Sequence, residues 1–241
     1  MSGGFPIGIS VCRGNDAGIN LAASTGTSIP WTLVNTKGAW TQLVAATPSD
    51  TSFVVIEATF DTVNNAIVPQ IAFDIGIGAG GSEVAIAPNL YIAPPFEASC
   101  DFAVAIPLQI NAGTRIAARA QSDGVTITSV KVKVSLYDAS YIGVDAAGVD
   151  ALNITLASTS PPNIPPSASA NTWGAWTQII AATARDYMGL FASYNAPARG
   201  AFVLQIGVGA VGQEHAIIPS HIAQFTNVQL SFGGHVIPFI P

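Results

Sequence analysis

Gly38-Ala39-Trp40-Thr41-Gln42-Leu43-Val44-Ala45-Ala46-Thr47 is written a second time in the same chain, as Gly174-Ala175-Trp176-Thr177-Gln178-Ile179-Ile180-Ala181-Ala182-Thr183. Eight of the ten positions are identical, and the other two exchange one branched aliphatic residue for another. Trp40 and Trp176 stand 136 residues apart. A second block follows each copy: Ile75-Gly76-Ile77-Gly78-Ala79 returns as Ile206-Gly207-Val208-Gly209-Ala210. Glu83, Ala85-Ile86 and Pro88 then return as Glu214, Ala216-Ile217 and Pro219. Ile86 and Ile217 are 131 residues apart, so the second copy is five residues shorter between its blocks, as a loop deletion would leave it. Leu21-Ala22-Ala23-Ser24-Thr25 and Leu156-Ala157-Ser158-Thr159-Ser160 extend the likeness upstream. The repeating unit is domain-sized, far longer than the 20–50 residues of a solenoid.

Period-two patterning dominates the first copy. Val130, Val132, Val134 and Leu136 alternate with Lys131, Lys133, Ser135 and Tyr137, and Ile116, Ala118 and Ala120 alternate with Arg115, Ala117 and Arg119. Such alternation predicts half-buried strands. Asn64-Asn65, Gly80-Gly81, Asn111-Ala112-Gly113 and Asp123-Gly124 supply turns between the runs. No window carries a sustained helical period with caps at both ends. About eight strands are expected in the first copy, which suits a jelly roll, with an immunoglobulin-like sandwich as the near alternative. The expected fold is therefore all-β, with two tandem β-sandwich, jelly-roll-like modules. An N-terminal arm covers residues 1–16, the first module 17–138, an Ala/Ser/Pro-rich linker 139–170 and the second module 171–241. Ser160-Pro161-Pro162-Asn163-Ile164-Pro165-Pro166 makes that linker an extended, semi-rigid spacer. The offset sets Ile110 against Pro241, whereas the first copy continues to Tyr137 through two more strands. The second module is thus expected to be incomplete at its C-terminus. Truncation is the first explanation, and strands added by a neighbouring subunit or by the N-terminal arm are the second.

Composition narrows the function. Charged residues are 9% of the 241, against about 25% in ordinary domains, and hydrophobic residues are 49%. The apolar runs are short, broken by proline or by Asp61, Asp74, Glu83, Glu97 and Asp101, so no membrane span is expected. Met1 to Cys12 has no basic region ahead of an apolar block, and no secretory signal is expected. A formal net charge of −6 with eight basic residues disfavours a nucleic-acid partner. A chain this apolar is expected to bury surface against other subunits.

No motif carries catalysis. Gly76 to Gly81 and Gly207 to Gly212 fit G-x-G-x-x-G, but a dinucleotide site needs a helix opening there. Glu83-Val84-Ala85-Ile86-Ala87-Pro88 reads instead as a short strand, and the glycines as a bend, a bulge or a close backbone approach. Glu83 and Glu214 hold equivalent positions beside those glycines, and the plain reading is a loop carboxylate accepting backbone hydrogen bonds. His215, His221 and His235 fall in the second copy without a ligand-like spacing, so neither metal nor cofactor is expected. Cys12 and Cys100 read as free thiols. Asn153-Ile154-Thr155 is a glycosylation sequon in form only, and there is no G-x-S-x-G elbow. Trp40 and Trp176 read as core. Trp31 and Trp173 are the surface candidates, for an interface or a sugar ring. Arg115, Arg119, Glu83 and Glu214 complete the candidate contact set.

Ile75-Gly76-Ile77-Gly78, Glu83-Val84-Ala85-Ile86, Pro88-Asn89-Leu90 and Ala112-Gly113-Thr114-Arg115-Ile116-Ala117-Ala118-Arg119 together resemble β-rich virion structural proteins of tailed bacteriophages. The likeness covers most of the first module and the front of the second. It implies a non-enzymatic protein on the particle's exterior, assembled in the host cytoplasm, serving as capsid decoration, a collar attachment, or a tail fibre or spike. Its expected partners are other virion proteins and further copies of itself, with a trimer as one cyclic form, and a host glycan under the adhesin alternative.

Overall fold

The computed structural model describes residues 26–60, 69–92, 100–124, 128–138, 162–183, 189–191, 200–225 and 236–238. The arm 1–16, residues 139–161 of the linker, Cys12, Asn153 to Thr155 and His235 lie outside them. Every regular element among the described residues is a strand, and the sheets are antiparallel. No helix there is long and apolar enough to cross a membrane.

Eight strands lie between Thr27 and Asp138: β1 (Thr27–Pro30), β2 (Thr41–Val44), β3 (Thr51–Phe60), β4 (Ile71–Ile77), β5 (Val84–Ile92), β6 (Cys100–Ile106), β7 (Ile116–Ser122) and β8 (Ser129–Asp138). They form two four-stranded sheets, ordered β1-β8-β3-β6 and β2-β7-β4-β5. First pairs with last and inward from there: β1 with β8, β2 with β7, β3 with β6, β4 with β5. These eight strands are thus a long hairpin of four nested strand pairs wound into two layers.

The core lies between the layers. Ile29, Val54, Ile56, Val104, Val130, Val132 and Val134 from one sheet and Val44, Ile71, Phe73, Ile75, Leu90, Ile116 and Ala118 from the other form a single buried cluster. The alternation in β8 explains its placement. Val130, Val132, Val134 and Leu136 point inward, while Lys131 and Lys133 remain partly exposed and Lys133 reaches Glu57 at 3.1 Å. Strand β4 departs from simple alternation, because Ala72 and Asp74 on its other face are buried as well. Residues 31–40 account for part of this. Asn35 N donates to Ser122 O at 2.7 Å and Gly38 N to Ala120 O at 2.8 Å, which lays the β1–β2 connection along β7. Gly38 is required there, since a Cβ would stand 2.2 Å from Pro30 O.

Four further strands follow: β9 (Gly189–Phe191), β10 (Gly200–Val208), β11 (His215–Phe225) and β12 (Val236–Pro238). They pair as β9 with β12 and β10 with β11. The registers repeat those of the first copy. Val54 faces Ile106 and Leu190 faces Ile237, the same positions at the two offsets. The β4–β5 hairpin pairs Phe73 with Leu90, Ile75 with Ala87 and Gly76 with Ala85, slipping one residue at each step. The β10–β11 hairpin pairs Leu204 with His221, Ile206 with Ile218 and Gly207 with Ala216, with both slips in the same places.

Candidate functional site

Two polar networks of the first copy lie on the outer face of the sheet β2-β7-β4-β5. Asp74 is the centre of one. It interrupts the apolar run of β4, its side chain is only 2% exposed, and three donors surround it. Lys37 Nζ and Asn89 N donate to Oδ1, each at 2.7 Å, and Arg119 Nε donates to Oδ2 at 2.7 Å. Lys37 Nζ also donates to Ala72 O at 3.3 Å. Burial lowers the pKa of Lys37 from the ordinary lysine value, against the opposing pull of Asp74. Asn89 N is presented by a left-handed residue (φ 50°), which sits where the β4–β5 register slips.

Trp40 lies beside this network. The Arg119 guanidinium carbon sits 4.5 Å from its ring centroid, a cation–π contact. The indole rests on Gly76, where a Cβ would stand 2.5 Å from Cη2 and 3.0 Å from Val84 O. Gly76 is paired with Ala117, so two small residues lie side by side beneath the ring. Gly76→Ala should therefore cost about 1–3 kcal/mol, because the methyl group must displace the indole. Gly207→Ala should cost less, since its Cβ would stand 2.9 Å from Trp176 Cη2 and that ring can swing into solvent. Urea denaturation of the two variants checks the ranking.

At the turn end of the hairpin, Arg115 fills a socket with three acceptors. Its Nη1 donates to Glu83 Oε1 at 2.6 Å and to Gly78 O at 3.3 Å, and its Nε donates to Gln42 Oε1 at 3.1 Å. Glu83 in turn accepts from Gly81 N at 2.9 Å. Burial opposes the charge on Glu83, but hydrogen bonds from backbone N–H groups and from Arg115 outweigh it and lower its pKa. A carboxylate lowered in the folded state contributes stability above its unfolded pKa and loses it as pH falls through the folded value. Glu83→Gln should therefore flatten the loss of stability below the ordinary glutamate pKa. Denaturation midpoints measured from pH 7 down to pH 3 would show it as convergence of variant and wild type.

The G-x-G-x-x-G string builds this turn and opens no helix. Gly78 (φ 123°) and Gly81 (φ 85°) take left-handed conformations, Ser82 N closes on Ala79 O at 3.0 Å, and β5 follows at Val84. The second copy repeats it with Gly209 (φ 140°), Gly212 (φ 81°) and Gln213 N on Ala210 O at 2.8 Å. Glu214 Oε1 accepts from Gly212 N at 3.1 Å, as Glu83 does from Gly81.

Of the candidate residues, the structure brings Arg115 to Glu83 and Arg119 to Asp74 and Trp40. The expectation of a surface-facing Trp31 is corrected. Trp31 is 3% exposed, sits in the core cluster and donates through Nε1 to Gly124 O at 3.3 Å. It follows the buried Ile29 by two residues, so strand alternation carries it inward. Trp173 is 56% exposed; of the two indoles read from the sequence as core, Trp176 is 45% exposed and Trp40 is half-buried on the outer face of the sheet, outside the core cluster. Lys37, Asp74 and Asn89 are missed by motif reasoning, although a lone aspartate within Ile71-Ala72-Phe73-Asp74-Ile75 signals a buried paired charge. Among the described residues no group of three or more His, Cys, Asp or Glu could hold a metal ion. No family model, curated protein or solved structure matches the chain.

Proposed function

We propose that this chain is an exterior structural protein of a tailed-bacteriophage virion, built of tandem jelly-roll modules and acting by subunit packing rather than by catalysis. The observation that carries the module assignment is the strand order. Eight strands nested first-to-last, ordered β1-β8-β3-β6 and β2-β7-β4-β5, support the double Greek key of a jelly roll, a fold widespread in capsid proteins. The recurrence of the β3–β6 and β4–β5 registers in β9–β12 supports a second unit of the same kind.

The chemistry of the site supports packing over catalysis. Asp74 and Glu83 have their oxygens directed at Lys37, Arg119, Asn89, Arg115 and Gly81, so they tie strands together instead of facing a substrate. A surface with few charges favours burial between subunits, at about 25 cal/mol per Å² of apolar area. Self-association into a cyclic oligomer, and assembly onto the particle in the host cytoplasm, follow from this reading. Mass spectrometry of purified particles tests it. Many copies per particle, with lower thermal stability of particles that lack the chain, are expected. Particles with no more than traces of it would overturn the reading.

A tail-fibre adhesin is the second reading, and the exposed indole of Trp173 favours it. That reading requires binding to a host-surface glycan that Trp173→Ala abolishes.

A further inference from the structure

Asp123-Gly124 is the only place in the 241 residues where an aspartate or an asparagine precedes glycine. The pair directly follows β7 and ties three segments together. Gln70 N donates to Asp123 Oδ1 at 2.7 Å, and Asp123 N donates to Gln70 O at 3.2 Å. Gly124 O accepts from Trp31 Nε1 at 3.3 Å, and Trp31 belongs to the buried core cluster. Packing asks for glycine at 124, since a Cβ there would stand 2.9 Å from Pro69 Cβ. Without a Cβ, the glycine nitrogen is also the least hindered amide for attack on the preceding side-chain carboxyl. Gly124 lies past the end of β7, and its N donates to the Ser122 hydroxyl at 3.2 Å. Burial raises the pKa of Asp123, against hydrogen bonds from Gln70 N and from its own N, and so favours the protonated carboxyl whose hydroxyl can leave.

We propose that Asp123-Gly124 is a covalent modification site, at which the aspartate isomerises through a succinimide and thereby releases the Trp31 indole from its anchor. Local opening of the turn parts Oδ1 from Gln70 N. Gly124 N then attacks Asp123 Cγ. The new C–N bond forms as the carboxyl C–O bond breaks, and the hydroxyl leaves with the amide proton as water. Water afterwards returns to the five-membered ring. Breaking the N–Cγ bond restores aspartate, whereas breaking the bond from N to the α-carbonyl leaves isoaspartate, with no net change of mass. The main chain of isoaspartate runs through Cβ and Cγ and is one methylene longer. Gly124 O is carried away from the indole, and a buried N–H donor loses its acceptor. The inference goes beyond the packing role and does not depend on where in a particle the chain resides.

The full 241-residue chain, labelled with nitrogen-15, is incubated in mildly acid buffer beside a synthetic peptide of residues 120–131, until half of the peptide has isomerised. Trypsin releases the same segment from the chain, by cleavage after Arg119 and Lys131. A second species of this segment is expected, of unchanged mass and separate elution, and methylated by an isoaspartyl methyltransferase. In step with it, the indole N–H resonance of Trp31, assigned by its loss in Trp31→Phe, should fade as a shifted one grows. Asp123→Glu, which would have to close a six-membered ring, should lose both changes. Absence of the second species from the folded chain, or its persistence in Asp123→Glu, would overturn the proposal. So would isoaspartate at 123 with the Trp31 indole resonance unmoved.

Discussion

Asp74→Ala should lower the free energy of unfolding by about 3–5 kcal/mol, the usual cost of removing one partner from a buried charge network. The carboxylate neutralises Lys37, whose side chain is 5% exposed, and Arg119, and it also satisfies Asn89 N. Without it an ammonium stands buried beside the carbonyl of Ala72 alone. Arg119, with its side chain 29% exposed, can turn toward water, so Lys37 dominates the penalty. The double variant Lys37→Met with Asp74→Leu should recover much of the loss, because a buried pair replaced by apolar groups of similar size is often neutral. Urea denaturation of the wild type, the single variant and the double variant makes the comparison. A single variant costing under about 1 kcal/mol would show that the network is not buried in solution.

Phe73→Ala should be of similar size, about 3–5 kcal/mol, by the transfer and cavity costs of emptying a core site. Among the described residues Phe73 is the largest fully buried side chain, and it lies near the middle of β4, between the two sheets. Its counterpart Leu204 on β10 is only partly buried. Leu204→Ala should cost far less, since that side chain already reaches solvent and leaves little cavity. Equal costs at the two positions would mean that the two hairpins sit in equally closed surroundings, contrary to the exposure of Val203 and Val208 on β10.

Much of the fold is legible in the sequence. The alternation in β8 and β7 follows from apolar residues two apart, and the duplication follows from two Trp-centred blocks. The glycines at 76 and 207 are read as a bend, a bulge or a close backbone approach; a register slip is found at each, and what comes closest is an indole side chain. The nested strand order is less legible. It depends on which edges meet over long sequence separations, and local pattern does not encode that. The site is less legible still. Arg115 and Glu83 are visible as candidates, but their pairing requires β7 to lie beside the β4–β5 turn. Lys37 has no periodic signal, since it sits in a connection that folds back over the sheet. Trp31, Trp40 and Trp176 are read the wrong way round. Their exposure depends on which strands cover them, not on their neighbours in sequence.

The most direct test of the duplicated module is an NMR measurement of the two glycine environments. If Trp40 and Trp176 occupy like positions, the Hα resonances of Gly76 and Gly207 both move upfield under the indole ring current, and each shows a nuclear Overhauser contact to its own tryptophan. A Gly207 resonance at its ordinary shift, with no contact to Trp176, would contradict the duplication.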